Sequence, residues 1–434
     1  MRPLPDITPM PPIACAALPW DTELADPVAE IARARRECGD TFVIDSPRRR
    51  TLFVFSPVGV RNFYALAEAD ASKGVADWMM LRHKLPEELF AGRRTTVHSL
   101  FGRDDVNSYL SQLDAAITVA FDELGSEGTV DIFAFTRRLG HRMGLASWAG
   151  EIPQQSPRFD EFVDALEILD GSAAFVHPEA MRAVAESGKV SERAALTRIE
   201  ELIRETILAR DAAFAQSDDL FARIMTRWSD VAGHDRIVGI AHDVVLVHMG
   251  SMSNLFAAAG WMIGHLALHP EVLHRVRSNE DGLLDRCALE STRLGQRSII
   301  LRAVLRDTVI SDEQHTYNVA PGAQIATLLP LTNSSSLDGF GAYDPDRWGR
   351  RRLRDEDQLA AKELVVTFGH GEHSCPAQPF SLAAMGRAAK RLIDTYDLQP
   401  QFESIEPLAV QIGGVARSQY PCLLSYRIRA DWRR

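Results

Sequence analysis

From Val244 to Pro270 the sequence carries no Asp, Glu, Lys or Arg. A charge-free run of that length must leave water, and two environments accept it: a bilayer or the middle of a large globule. His248, Ser251, Ser253 and Asn254 fall in its first half, where polar groups facing lipid would be costly. The run is therefore read as a buried helix that crosses a large core.

The rest of the chain can supply that core. It has 434 residues, 46% of them hydrophobic, and no repeat or long low-complexity linker divides it. Length alone would allow two or three domains. Ala25 to Cys38 reads as a helix, and Thr51 to Pro57, with alternation and Val/Phe content, as a strand. Val106 to about Arg236 is mostly helical in period, with a break near Ile152–Pro157. Strands return at about Ser298–Ile310, Gln324–Leu329 and Leu423–Ile428. The fold class expected is mainly α with a small β part. Residues 1–24 carry Pro3, Pro5, Pro9, Pro11 and Pro12 and no apolar run. They are read as an extended lead over the surface, neither signal peptide nor membrane anchor. Residues 25–434 are read as one domain. Five cysteines without metal-ligand spacing suit a reducing compartment such as the cytoplasm. A net charge of −11 argues against a nucleic-acid partner.

One cysteine is set apart by its surroundings, Phe368-Gly369-His370-Gly371-Glu372-His373-Ser374-Cys375-Pro376-Ala377. An isolated cysteine is usually a small buried hydrophobe. Here Gly371 allows a turn that a side chain would block, in a loop that could present Cys375 rigidly. The stretch resembles the haem-thiolate loop of the cytochromes P450. That resemblance implies the P450 fold and haem b held by Cys375 as its iron ligand, with Phe368 beside it. Thiolate ligation favours O–O cleavage. Ala377 stands where the family has Gly, at the point of closest approach to the porphyrin.

Further motifs follow in the family's order. Glu290-Ser291-Thr292-Arg293 matches its Glu-x-x-Arg, with both charged side chains on one helix face. The segment Phe340 to Trp348 resembles the one that brings in a second Arg. The resemblance implies that Glu290, Arg293 and Arg347 form a buried ion network. A buried charge without its partner is expensive, so the three stand or fall together. His269-Pro270-Glu271 matches the break after the family's longest helix, and Tyr317 to Leu329 a turn feeding a strand near the substrate.

The central helix departs from the pattern. The family places an acid–alcohol pair there, delivering protons to bound oxygen. Alignment on His269-Pro270 and Trp261 puts Ser253 at the acid and Asn254 at the alcohol, which leaves no carboxylate for general-acid delivery. Asn254 can still donate and accept hydrogen bonds. This variant, and the run Leu294 to Arg302 without the common Pro, resemble the branch containing cholesterol 7α-hydroxylase and prostacyclin synthase.

The resemblance thus implies a P450 monooxygenase, an oxidoreductase acting on a hydrophobic small molecule with electrons from a ferredoxin and its reductase. Arg302 and His373 are expected at the propionates. Ile299, Ile300 and Leu301 are expected along the pocket, with Gly250, Ser253 and Asn254 opposite. His98 and Arg103 are weaker propionate candidates, a surface or loop role being the alternative. Arg350, Arg351, Arg352, Arg354, Arg387, Lys390 and Arg391 could form a basic face for an acidic ferredoxin, although charge runs are usually solvated. Two other classes remain open: a haem-thiolate isomerase, dehydratase or peroxide-using enzyme needing no reductant, and a haem-binding protein without catalysis.

Overall fold

The computed structural model describes residues 4–430 apart from 48, 94–105, 151–152, 154–156, 172–176, 213–218 and 350. Its helices, in chain order, are α1 (Pro27–Cys38), α2 (Pro57–Ala65), α3 (Lys73–Leu81), α4 (Val106–Leu124), α5 (Ile132–Trp148), α6 (Phe159–Asp170), α7 (Pro178–Glu186), α8 (Val190–Ala212), α9 (Leu220–Arg227), α10 (Gly233–Leu268), α11 (Pro270–Arg277), α12 (Leu283–Gly295), α13 (Leu329–Ser335) and α14 (Gln378–Thr395). The strands are β1 (Ile7–Thr8), β2 (Thr41–Asp45), β3 (Arg50–Val54), β4 (Ala71–Ser72), β5 (Glu127–Asp131), β6 (Ile299–Val304), β7 (Thr308–Ser311), β8 (Thr316–Val319), β9 (Gln324–Leu328), β10 (Trp348–Gly349), β11 (Arg352–Leu353), β12 (Tyr396–Pro400) and β13 (Leu423–Ile428).

Helix α10 organises the molecule. Its 36 residues run about 54 Å at the usual helical rise. By length and composition it could cross a membrane, but 67% of its most apolar window is buried by the rest of the chain. It packs against α5, α6, α8, α12 and α14. The contact with α5 is close because of two glycines. A Cβ at Gly140 would sit 2.5 Å from the Phe256 ring, and one at Gly144 would sit 2.8 Å from the Met252 sulfur.

The β part is concentrated in a five-stranded sheet of order β2-β3-β9-β6-β4, in which β3 and β9 are parallel. The expected strand from Thr51 ends at Val54, because Ser56 caps α2 by accepting the Gly59 N–H at 3.1 Å. The stretch Ser298–Ile310 is split into β6 and β7 by the turn at residues 305–307, where Leu305 N–H bonds Asp70 O at 2.7 Å. Strand β2 had no two-residue alternation to reveal it, since Phe42, Val43 and Ile44 are all fully buried.

The proline-rich lead is part of this fold, not a strap over it. Ile7 and Thr8 pair with Val319 and Asn318. Val43 and the segment Pro12–Ala14 exchange two backbone hydrogen bonds, at 2.8 and 2.9 Å. The lead thereby covers the free edge of β2, which would otherwise be open to pairing. Ile7 and Leu18 are buried.

Candidate functional site

A cavity of about 570 Å³ lies between the Cys375 loop and the middle of α10. Its α10 wall is formed by Val247, Gly250, Ser251, Asn254, Leu255 and Ala258. These residues recur at three- and four-residue spacing, one face of a helix. Gly250 and Asn254 are exposed to the cavity, and a Cβ on Gly250 would meet nothing within 4 Å. Ile299 and Ile300 line the side. Leu301, expected beside them, packs on the apolar cluster that includes Phe42 and Phe53, which Ile299 also touches, and does not line the cavity.

Opposite α10 stand Phe368, Gly369, Cys375, Pro376 and Ala377. The Cys375 N–H donates to Phe368 O at 2.7 Å, which closes the loop on itself. Gly369 and Gly371 both have positive φ, 77° and 62°. At Gly369 a side chain is excluded twice over, since its Cβ would lie 2.2 Å from His373 O. The loop is therefore tight enough to fix where Cys375 points. Burial pushes the Cys375 thiol up, against a hydrogen bond from the Ala377 N–H. A metal ion would reverse that, because a coordinated thiol loses its proton.

A ring of polar groups flanks this loop. Arg302 Nη1 donates to Leu66 O and Ala71 O, both at 2.9 Å. His373 Nε2 lies 3.0 Å and Arg302 3.7 Å from Glu68 Oε2. Burial would raise the Glu68 carboxyl, but hydrogen bonds from Ser72, Gly74 and Lys73 and the nearby His373 hold it at about 2. Arg302 Nε and the Tyr64 hydroxyl are buried, line the same cavity and lack a hydrogen-bond partner. A buried donor without an acceptor is costly. Two of them on residues that line one cavity suit a carboxylate-bearing ligand, such as a haem propionate, reaching between them. Tyr64 and Glu68 were not foreseen, because both sit on or beside α2, far from every motif in the sequence. His98 and Arg103 lie outside the described residues.

Glu290, Arg293 and Arg347 meet in one buried ion network. Glu290 and Arg293 side chains are wholly buried and paired at 2.7 and 2.9 Å. Arg347 Nε reaches Glu290 at 3.3 Å. Trp348 Nε1, at 2.9 Å, and the Asp344 N–H, at 3.1 Å, complete the carboxylate's partners. Arg293 also donates to Asn333 O and Phe340 O, both at 2.7 Å. Asn333 in turn holds both backbone polar groups of Val366, at 2.8 and 3.0 Å. The network thus anchors the segment that enters the Cys375 loop.

The two polar residues of α10 separate. Asn254 Oδ1 accepts the Val415 N–H at 2.9 Å, tying the helix to the cavity-lining segment 413–415. Ser253, one residue earlier, is off the cavity face. Its hydroxyl donates to Asp170 at the end of α6. From Val244 to Leu268 α10 has no carboxylate of its own; an acid reaches Ser253 from another helix. Of the expected basic face, Arg350 lies outside the described residues. Arg387 and Lys390 are engaged by Asp114 and Asp394.

No family model matches the chain. It is similar to curated P450 enzymes. A cytochrome P450 monooxygenase of Ganoderma lucidum is 26% identical over 185 residues, 37% of this chain and 36% of the relative. The 25-hydroxycholesterol 7-alpha-hydroxylase of Rattus norvegicus is 23% identical over 199 residues, covering 38% and 48%. Pentalenene oxygenase of Streptomyces avermitilis is 22% identical over 408 residues, covering 87% of this chain and 84% of the relative. The chain spans about a third of the length of the first curated relatives it matches. The helix-dominated fold around α10 and the agreement among these relatives point the same way: the chain is similar to the cytochromes P450 in sequence, and its fold is consistent with theirs.

Proposed function

We propose that the protein is a haem-thiolate monooxygenase that oxidises a hydrophobic small molecule, within one catalytic domain that includes the lead. The observation that carries this reading is Cys375, held by a tight loop on one side of a mostly apolar cavity, facing Asn254 across it. Haem b would be held by Cys375, with Arg302, Tyr64 and His373 at its propionates and Phe368 and Ala377 against the ring. The bound haem supplies the oxygen chemistry. The chain's own part is to keep the site dry and to orient the substrate. Leu255, Ala258, Ile299 and Ile300 exclude water around the reacting end. Asn254 offers the cavity its amide nitrogen while its oxygen holds Val415.

Electrons are proposed to come from a ferredoxin and its reductase. A second reading keeps the haem and needs no reductant. It is favoured by the absence of an acid–alcohol pair on the cavity face of α10. A ligand screen by Soret shift, followed by turnover of each hit with and without reductant, separates the two. Product that forms only with reductant supports the monooxygenase; product formed equally without it supports the rearranging enzyme. A haem protein that turns over no hit under either condition supports the third class, a carrier or sensor.

A further inference from the structure

Helix α10 has no acid of its own between Val244 and Leu268, yet its middle is not without one. Asp170, the last residue of α6, projects its carboxylate onto the Ser253 hydroxyl. Arg417 approaches the same oxygen at 4.0 Å. The Asp170 side chain is 13% exposed, that of Arg417 35%. Two residues before Arg417, Val415 is clasped by Asn254. So α6, α10 and the 413–417 segment meet at one point beside the cavity, and the carboxyl at that point belongs to none of the family-like motifs.

Resting on the monooxygenase reading, we propose that Asp170 is a positioning acid for the reaction: it holds the proton that Ser253 passes, by way of water at Asn254, into the cavity. The transfer balances without another reactant. The Asp170 carboxyl gives its proton to the Ser253 oxygen as the Ser253 hydroxyl proton moves to a water that passes it by Asn254 into the cavity. Asp170 is left as a carboxylate and regains its proton from solvent at the Arg417 edge.

The surroundings favour the protonated form of Asp170 more than water does. Burial raises Asp170, while the Ser253 hydrogen bond and the charges of Arg417, Arg137 and His141 oppose the rise. Lys84, which caps α6 at Gly171 O at 3.0 Å, faces it from the N-terminal half. Glu167, one turn earlier on α6, is committed to Arg137 and His141. Asp170 is therefore the carboxyl of this cluster that reaches α10.

The test uses the haem-loaded protein. Infrared spectra across pH 5 to 9 should contain a protonated-carboxyl band that titrates above the ordinary aspartate range, vanishes in Asp170→Asn and shifts in Ser253→Ala. With NADH and a surrogate ferredoxin pair, peroxide released per NADH in air is then followed over the same pH range. Wild type should release more as Asp170 ionises. Asp170→Asn should release several-fold more than wild type at pH 7 and lose the pH dependence, and Asp170→Glu should restore it. A clip that merely holds α6 to α10 would leave the pH profile in place. A wild-type profile in both Asp170→Asn and Ser253→Ala, or no band lost in Asp170→Asn, overturns the proposal. Absence of NADH consumption by wild type would instead overturn the monooxygenase reading, and the relay with it.

Discussion

Glu290 is the residue whose loss should cost most, and the structure shows why. Its carboxylate is fully buried and accepts five hydrogen bonds, from Arg293 Nε and Nη2, Arg347 Nε, Trp348 Nε1 and the Asp344 N–H. In Glu290→Ala the Arg293 guanidinium, itself 0% exposed, keeps its carbonyl partners but loses its counter-charge. Breaking one side of a buried pair costs about 3–5 kcal/mol. The orphaned Trp348 and Asp344 donors add to this, at about 1–3 kcal/mol for each unsatisfied group, though not in full. Against a total stability of about 5–15 kcal/mol, the variant should barely fold and should retain little haem, because Asn333 and Val366 transmit the disorder to the Cys375 loop. Denaturant unfolding of the purified chain gives the stability change, and absorbance gives the haem content. The double variant Glu290→Leu/Arg293→Met removes both charges and should recover part of the loss, since the penalty lies chiefly in the uncompensated charge. A Glu290→Ala protein within about 0.5 kcal/mol of wild type, or a double variant no better than the single, would refute the reasoning.

Three other outcomes follow. Gly369→Ala should lower both stability and haem retention, because its Cβ would meet the His373 carbonyl and φ is 77°; equal melting temperature and haem content would contradict it. Asn254→Ala frees Val415, and should alter product distribution and raise peroxide release; unchanged turnover, coupling and products would reduce Asn254 to a packing amide. Glu68 sits at about 2 against an ordinary 4.5, so its contribution is present above about pH 4.5 and is lost as pH falls toward 2. Glu68→Gln should flatten the acid limb of stability over that window, and an unchanged limb would contradict the assignment.

Much of this was legible in the sequence because single residues carried strong physical constraints. A run without charge from Val244 to Pro270, with polar residues in its first half, read as a buried helix, and α10 contains nearly all of it. Gly371 marked a left-handed turn, and Glu290 and Arg293 were tied by helical spacing. What escaped notice depends on contacts between distant segments. Asp170 lies 83 residues from Ser253, and nothing local to either points to the other. Leu301 does not line the cavity although Ile299, on the same face of β6, does, and a run of three apolar residues does not say how far along the strand the cavity reaches. The lead looked like a surface strap because prolines hide a strand, and only the partners Val319 and Val43 show it closing the sheet.

The central claim is that Cys375 ligates haem iron, and the carbon monoxide spectrum of the reduced protein tests it most directly. The account predicts the red-shifted Soret band of a thiolate-bound haem in wild type, and its loss in Cys375→Ser and Cys375→His proteins that still bind haem. A wild-type protein without that band, or a Cys375 variant that keeps it, would contradict the account.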